Sequence, residues 1–481
     1  MMNQAYPPLH LWINGEWLRA DDRADMSVVN PATGIELGRL PKASEADIER
    51  AIEAAGRAFP AWRNAGPLAR SLVLRRVAEI IRRDRESLAW LISVELGKPI
   101  AQARGEAETA AEMFEWAAEE GRRGYGRLIP GRVPGYELMA IPEPVGPVMA
   151  IAGWNAPAIT PSRKIAGALA AGCSIVIKPS EATPATALFL ARALEEAGLP
   201  AGTVAMVFGD PAAIARQLLD SSVIRMITFT GSTQVGKTLA ARATQTMKRM
   251  VFELGGHAPV LVFPDADLNA VAKSAVATKY RNSGQVCTSP TRFYVHHSVY
   301  QPFVEAFIAH VAELRVGDPL EPGTDVGPVQ NSRRLDALEA MVDDARRRGA
   351  NVVCGGQRLN GPGFFFAPTV LIDVASDSRV LNEEPFGPLA VISSFDDTDE
   401  AIERANRLPV GLASYVFSND LRIIDRVSRE IQCGNVIVNH WKVSFPETPF
   451  GGIKDSGIGL EGGIEGLQAF QQIKFVSRVA L

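Results

Sequence analysis

The chain has 481 residues, 47% hydrophobic and 22% charged, a balance that excludes wholesale disorder, a collagen-like chain and a coiled coil. Fifty Lys and Arg against 54 Asp and Glu give a formal charge of −4, so there is no basic field for nucleic acid or an anionic membrane, and neither is expected as a partner. There is no long uncharged apolar run and no basic-then-apolar leader, and Cys173, Cys287, Cys354 and Cys433 are too widely spaced for a disulfide framework or a zinc cluster, so a cytoplasmic, metal-free protein is expected.

The first predicted element is a helix: Ser44, three residues before Asp47, forms a capping-box-like start, and Ile48, Ile52, Ala55 and Phe59 share one face. Leu72 to Glu95 continues the helical pattern, with Gly97 and Pro99 as stops. The arginines between Arg70 and Arg85 alternate with Glu79 and Asp84, as on a solvated face. Gly121 to Pro147 is rich in Gly and Pro yet keeps apolar residues, an extended excursion rather than a linker. From Val145 the period changes. Short β-branched runs (Val145–Ala152, Ser174–Lys178, Thr203–Phe208, Met226–Thr230) alternate with helical stretches, with Gly172 and Gly198 at helix ends. That series predicts a parallel sheet covered on both faces, with chemistry collecting after the strands. The mixed α/β pattern continues from Gly256 onward.

Four motifs carry chemistry. Gly231-Ser-Thr-Gln-Val-Gly236-Lys237-Thr238 fits the P-loop pattern of nucleoside triphosphatases. That reading also needs a second strand ending in a Mg²⁺-binding Asp, and the nearest candidate, Val260 to Asp265, is interrupted by Pro264. The glycines and the helix start suit a dinucleotide pyrophosphate equally well. Gly284-Gln-Val-Cys287 sets a thiol in a small polar loop whose N–H donors are expected to favour its ionisation. Glu253 closes a β-like run among Val251, Phe252 and Leu254, where burial would raise its pKa and make it a candidate base. Gly153-Trp154-Asn155 places an amide after a strand, able to donate to a developing oxyanion. A Cys-His hydrolase using Cys287 with His257 or His440 is the competing use of the thiol.

Taken together, Trp154-Asn155, Lys178-Pro-Ser-Glu181, Phe229-Thr-Gly-Ser232, Glu253-Leu-Gly-Gly256, Gly284-Gln-Val-Cys287, Glu384-Pro-Phe-Gly387 and Pro449-Phe-Gly-Gly452 stand in the order and approximate spacing of the aldehyde dehydrogenase superfamily. The chain resembles that family over nearly its whole length. The resemblance implies an α/β fold with a Rossmann-like cofactor-binding domain (residues 1–122 and 143–255), an α/β catalytic domain (256–460) and a small β oligomerisation element (123–142 and 461–481). The element joins the excursion to the last strand, near Lys474 to Ala480, and the implied assembly is a homodimer or homotetramer.

By the same resemblance Cys287 attacks an aldehyde, Asn155 and the Cys287 N–H hold the oxyanion, and Glu253 activates water on the resulting thioester. Members that pass the acyl group to coenzyme A commonly lack this glutamate, so hydrolysis is expected. Trp154, Lys178, Ser180, Glu181, Gly231, Ser232, Glu384 and Phe386 fall at cofactor-binding positions. Glu181 would repel a 2′-phosphate, so NAD⁺ is expected over NADP⁺, although Lys178 and Ser180 leave NADP⁺ admissible. Asp210-Pro211 stands where the family usually has a further glycine, and Leu460 where Arg or Ser is common. Arg163 and Arg281 match two arginines with which succinate-semialdehyde dehydrogenases grip a substrate carboxylate, a task that suits the guanidinium fork. Ser289 replaces the second cysteine of some of these enzymes. The competing substrate class is an uncharged aliphatic or aromatic aldehyde, with Trp116, Trp441 and Phe445 as walls.

Overall fold

Ser44 does cap the first helix, Glu45–Asn64: its hydroxyl accepts from the Asp47 N–H while the Asp47 carboxylate accepts from the Ser44 N–H. The computed structural model describes residues 5–20 and 23–479, so Ala480, assigned to the last strand, lies outside the described residues. The expected long helix is broken at Asp84 into Gly66–Arg83 and Arg85–Leu96, and Gly97, at φ 81°, ends the second piece. Before Glu45 none of the described residues is helical. Leu11–Ile13 and Glu16–Leu18 form a hairpin around Asn14 and Gly15, both at positive φ, the turn that an Asn-Gly pair favours.

The first sheet has eight strands. In space its parallel strands run Val204–Met206, Ile175–Lys178, Val148–Ile151, Met226–Thr230 and Arg249–Glu253. Along the chain Val148–Ile151 comes first, so the winding reverses between it and Met226–Thr230, and a crevice opens there beyond the carboxyl ends. The helices Ile159–Ala171, Pro184–Glu196, Pro211–Asp220 and Thr233–Ala243 make the crossovers. All five strands are largely buried, which explains their unbroken apolar runs. Gly457–Ile458 adds an antiparallel edge beside Arg249–Glu253.

The second sheet has seven strands, six of them parallel, and includes Ala258–Val262 and Pro290–His296 as neighbours. This placement removes the triphosphatase reading. Asp265 follows a strand of the wrong sheet, and its carboxylate accepts from Ser418 Oγ and the N–H groups of Asn419 and Asp420. Lys237 is paired with Asp455 at 2.6 Å.

In the third sheet Gln471–Val479 pairs with Tyr136–Pro144, which pairs with Arg127–Pro130. Leu128 (82%), Ile473 (66%) and Phe475 (62%) remain exposed on it. Among the described residues no helix is long and apolar enough to cross a membrane. Ser44→Ala removes the hydroxyl half of the first cap, and we expect it to lower the unfolding free energy by about 1 kcal/mol, read as a shifted urea midpoint at unchanged slope.

Candidate active site

Two sheet edges face each other. At the carboxyl edge of the first, Val148–Ile151 runs out into Gly153-Trp154-Asn155, Met226–Thr230 into Gly231-Ser232, and Arg249–Glu253 ends on Glu253 itself. From the second sheet the contribution comes before a strand: Cys287 precedes Pro290–His296.

The loop carrying Cys287 begins with three residues in the left-handed region, Asn282 (φ 50°), Ser283 (φ 55°) and Gly284 (φ 72°). A Cβ on Gly284 would lie 2.1 Å from the Gly387 carbonyl oxygen, so this turn and the Glu384–Gly387 segment touch through bare backbone. Asn282 Nδ2 donates to the Asn155 and Gln285 carbonyls (3.0 and 3.1 Å), Ser283 Oγ to the Gly327 carbonyl (2.7 Å), and the Asn282 N–H to Gln102 Oε1 (2.9 Å). Tyr415 OH donates to the Thr288 carbonyl beyond the cysteine at 2.7 Å.

The thiol differs from expectation. Burial and the facing Glu253 carboxylate push Cys287 well above the usual thiol range. The N–H groups of Gln285 and Ser289, expected to favour the thiolate, are used inside the loop on the Asn282 and Val286 carbonyls. Glu253 is buried, and its Oε1 has no hydrogen-bond partner. Burial raises it above the ordinary carboxylate range, with Glu461 adding to the rise. Burial would raise Glu461 as well, but Lys164 and Arg163 outweigh that and hold it low. Fully buried Lys164 donates to Glu461 at 2.5 Å and to Thr228 Oγ1 at 3.0 Å. Two neighbouring carboxyl groups are thereby driven apart in basicity, an arrangement that marks Glu253 as the one able to accept a proton. Asn155 Nδ2 donates one hydrogen to the Gln285 carbonyl at 3.2 Å, and the second is left for an incoming oxygen.

The cofactor candidates stand at or just after the ends of strands of the first sheet, and Glu384 and Phe386 meet that edge at Gly256 and Trp154. Lys178 Nζ pairs with Glu181 at 2.6 Å, and Glu181 also accepts from the Gly209 N–H at 3.2 Å, an ammonium and a carboxylate side by side as ribose hydroxyls require. Asp210, at the departure from the family pattern, caps Pro211–Asp220. Ser180 Oγ accepts from the Ala182 N–H. Ser232 caps Thr233–Ala243 directly after Gly231, a helix start suited to pyrophosphate. Glu384 accepts from the Gly256 N–H at 3.3 Å, and burial pushes its carboxyl up to about 8. A Cβ on Gly255 would lie 2.6 Å from Glu384 Oε2, so a larger residue there would push that carboxylate aside. The Trp154 and Phe386 rings meet edge-to-face at 5.4 Å, with Phe386 held at φ 44°. This donor set fits a nicotinamide dinucleotide.

The two arginines expected to grip a substrate carboxylate differ. Arg163 is largely buried, 3.7 Å from Glu461, over the Phe450 ring, with Nη2 donating to Ser444 Oγ at 2.8 Å and Nε without a partner. Arg281 is exposed and, among the described residues, makes no hydrogen bond or ion pair. Trp441 packs on Tyr415 and Phe417 with its indole nitrogen buried and unpartnered, and Lys442 lies over the Phe445 ring. Trp116 lines a cleft with Met113, Leu460 and Phe470 that also reaches Arg163, Lys164 and Glu461. Neither histidine partners the thiol: His257 is bonded to the Val380 carbonyl, and His440 accepts from the Lys442 N–H. Lys98, Glu106, Lys164, Ser444 and Glu461 escaped the sequence reading. The one available signal was Lys164 standing inside an apolar helix.

The sequence pattern described as the aldehyde dehydrogenase family matches residues 17–476. A glutarate-semialdehyde dehydrogenase of Pseudomonas putida is 42% identical over 97% of this chain and 96% of its own. The NADP⁺ succinate-semialdehyde dehydrogenase of Escherichia coli is 41% identical over 96% of both chains. The crystal structure of succinate-semialdehyde dehydrogenase from Burkholderia pseudomallei superposes with a TM-score of 0.97 at 41% identity, covering 100% of each chain. We expect Gly284→Ala to cost about 2–4 kcal/mol, since the new Cβ overpacks the turn at positive φ. The denaturant midpoint should fall and the rate of Cys287 alkylation by iodoacetamide should change; an unmoved midpoint would contradict the close approach to Gly387.

Proposed function

The chain belongs to the aldehyde dehydrogenase family, and we propose that it oxidises an aldehyde bearing a terminal carboxylate, a semialdehyde such as succinate semialdehyde, with NAD⁺ as the preferred acceptor. The enzyme is an NAD(P)⁺ oxidoreductase acting on the aldehyde group. The observation that carries the catalytic assignment is the convergence of Cys287, Glu253 and Asn155 from two sheets on one crevice.

In this reading Cys287 adds to the carbonyl carbon as its proton leaves to solvent. The oxyanion is held by the free Asn155 amide hydrogen and the Cys287 N–H, each donor worth about 3–4 kcal/mol in the transition state. Trp154, Lys178, Ser180, Glu181, Gly231, Ser232, Glu384 and Phe386 would hold the dinucleotide, which when bound takes up the hydride leaving that carbon. Glu253, buried and raised, then removes a proton from water as it attacks the thioester, and the acid departs. Glu181 beside Lys178 favours two free ribose hydroxyls over a 2′-phosphate. The exposed apolar side chains of the third sheet favour pairing between copies as a homodimer or homotetramer.

The substrate reading rests on Arg281 first, a cation without an ion-pair partner beside the nucleophile turn. Arg163 is divided between Glu461 and Ser444. An uncharged substrate is the second reading, favoured by the Trp441 and Phe445 rings.

Two experiments test these assignments. Glu253→Gln should keep a single-turnover burst of NADH while steady turnover falls at least about 100-fold. Because the carboxyl is raised, the acid limb of kcat should lie above the ordinary carboxylate value of about 4.3, activity falling as pH drops through it, and should vanish in the variant. Arg281→Ala should raise KM for succinate semialdehyde at least about 10-fold and leave propanal unaffected, as loss of a charged hydrogen bond predicts. Equal effects on both aldehydes would remove the carboxylate proposal.

A further inference from the structure

A buried ion pair lies behind the oxyanion amide. Lys98 follows Gly97 in the turn leading to the helix Ile100–Glu120, and its ammonium contacts Glu106 on that helix. Both side chains are buried, and the lysine Nζ also donates to the Asn155 carbonyl at 3.3 Å. That carbonyl accepts a second hydrogen bond from Asn282 Nδ2 in the nucleophile turn, at 3.0 Å.

The other oxygen of Glu106 accepts from the N–H groups of Ala158 and Ile159 at 2.9 and 3.4 Å. The helix that begins there, Ile159–Ala171, has no side-chain cap of its own. Glu106 supplies the cap from a different helix and sets a negative charge at the positive helix end. Asn155 is therefore anchored on both sides: its carbonyl by Lys98, and the helix that begins four residues later by Glu106.

We propose that Lys98 and Glu106 are positioning residues for the oxyanion amide, the pair fixing the Asn155 backbone so that its Nδ2 faces the carbonyl attacked by Cys287. This rests on the role given to Asn155 above. Ion pairs this deeply buried add little stability over an apolar substitute, so a positional task accounts better for this one. Burial lowers Lys98, Glu106 opposes that fall, and Arg281 adds a smaller push in the same direction as burial. Glu106 also holds the lysine Nζ within reach of the Asn155 carbonyl.

The test uses the full-length enzyme with NAD⁺ and propanal, an uncharged aldehyde that makes no demand on Arg281. The double substitution K98M/E106Q removes both charges at nearly constant volume. We expect a normal alkylation stoichiometry at Cys287, an NAD⁺ dissociation constant within about twofold of the parent, and a burst of NADH about 10–100-fold slower, the range set by loss of alignment rather than of the donor itself. In an Asn155→Ala background the same pair of changes should alter the burst less than about threefold, because the two act through one group. Lys98→Arg, which keeps the ion pair but moves its donors, should slow the burst at least about fivefold. A burst at the parent rate in either variant would overturn the proposal. A parent rate in Asn155→Ala alone would instead overturn the role of the amide.

Discussion

Backbone seldom holds three successive residues at positive φ, a conformation that persists only where the surroundings over-determine it. At Asn282, Ser283 and Gly284 they do. Hydrogen bonds reach the turn from Gln102, Asn155 and Gly327, and the bare face of Gly284 lies on the Gly387 backbone. The turn thereby locks three things together: the loop presenting Cys287, the segment carrying Glu384 and Phe386, and the peptide of Asn155. Relaxing it would separate the proposed nucleophile, the proposed cofactor-binding segment and the proposed oxyanion donor at once.

Around this frame the electrostatics are divided rather than uniform. Glu461 is flanked by Lys164 and Arg163 and stays below the ordinary carboxylate range, while Glu253, facing the thiol, is raised. Glu384 is also raised, to about 8, in its buried position by Gly256. The low-dielectric pocket thus holds one permanently charged acid and two whose charge answers to their surroundings. A thiol in the same pocket is kept protonated at rest, which limits side reactions of the sulfur until an electrophile arrives.

The parts of this arrangement legible in the sequence were those with a local signature. Short unbroken apolar runs between helical stretches mark the parallel sheet, glycines beside polar residues mark the Ser232 helix start and the Cys287 turn, and Ser44 with Asp47 marks a helix end. The Asn14-Gly15 hairpin has an equally local signature. What stayed hidden depends on partners far along the chain. Nothing near Lys98 announces Asn155, and nothing near Glu461 announces Lys164, 297 residues away. The thiol was misjudged for the same reason: its polar neighbours looked like free donors, but the folded turn uses them internally.

Tyr136–Pro144 pairs residue by residue with Gln471–Val479, and Lys474 reaches Glu143 across 331 positions. During synthesis the earlier strand leaves the ribosome long before its partner exists. At about 5–20 residues per second, the nascent edge waits on the order of 20–60 s with its hydrogen-bonding groups bare. The long interval leaves that edge open to stray strands until the tail is made.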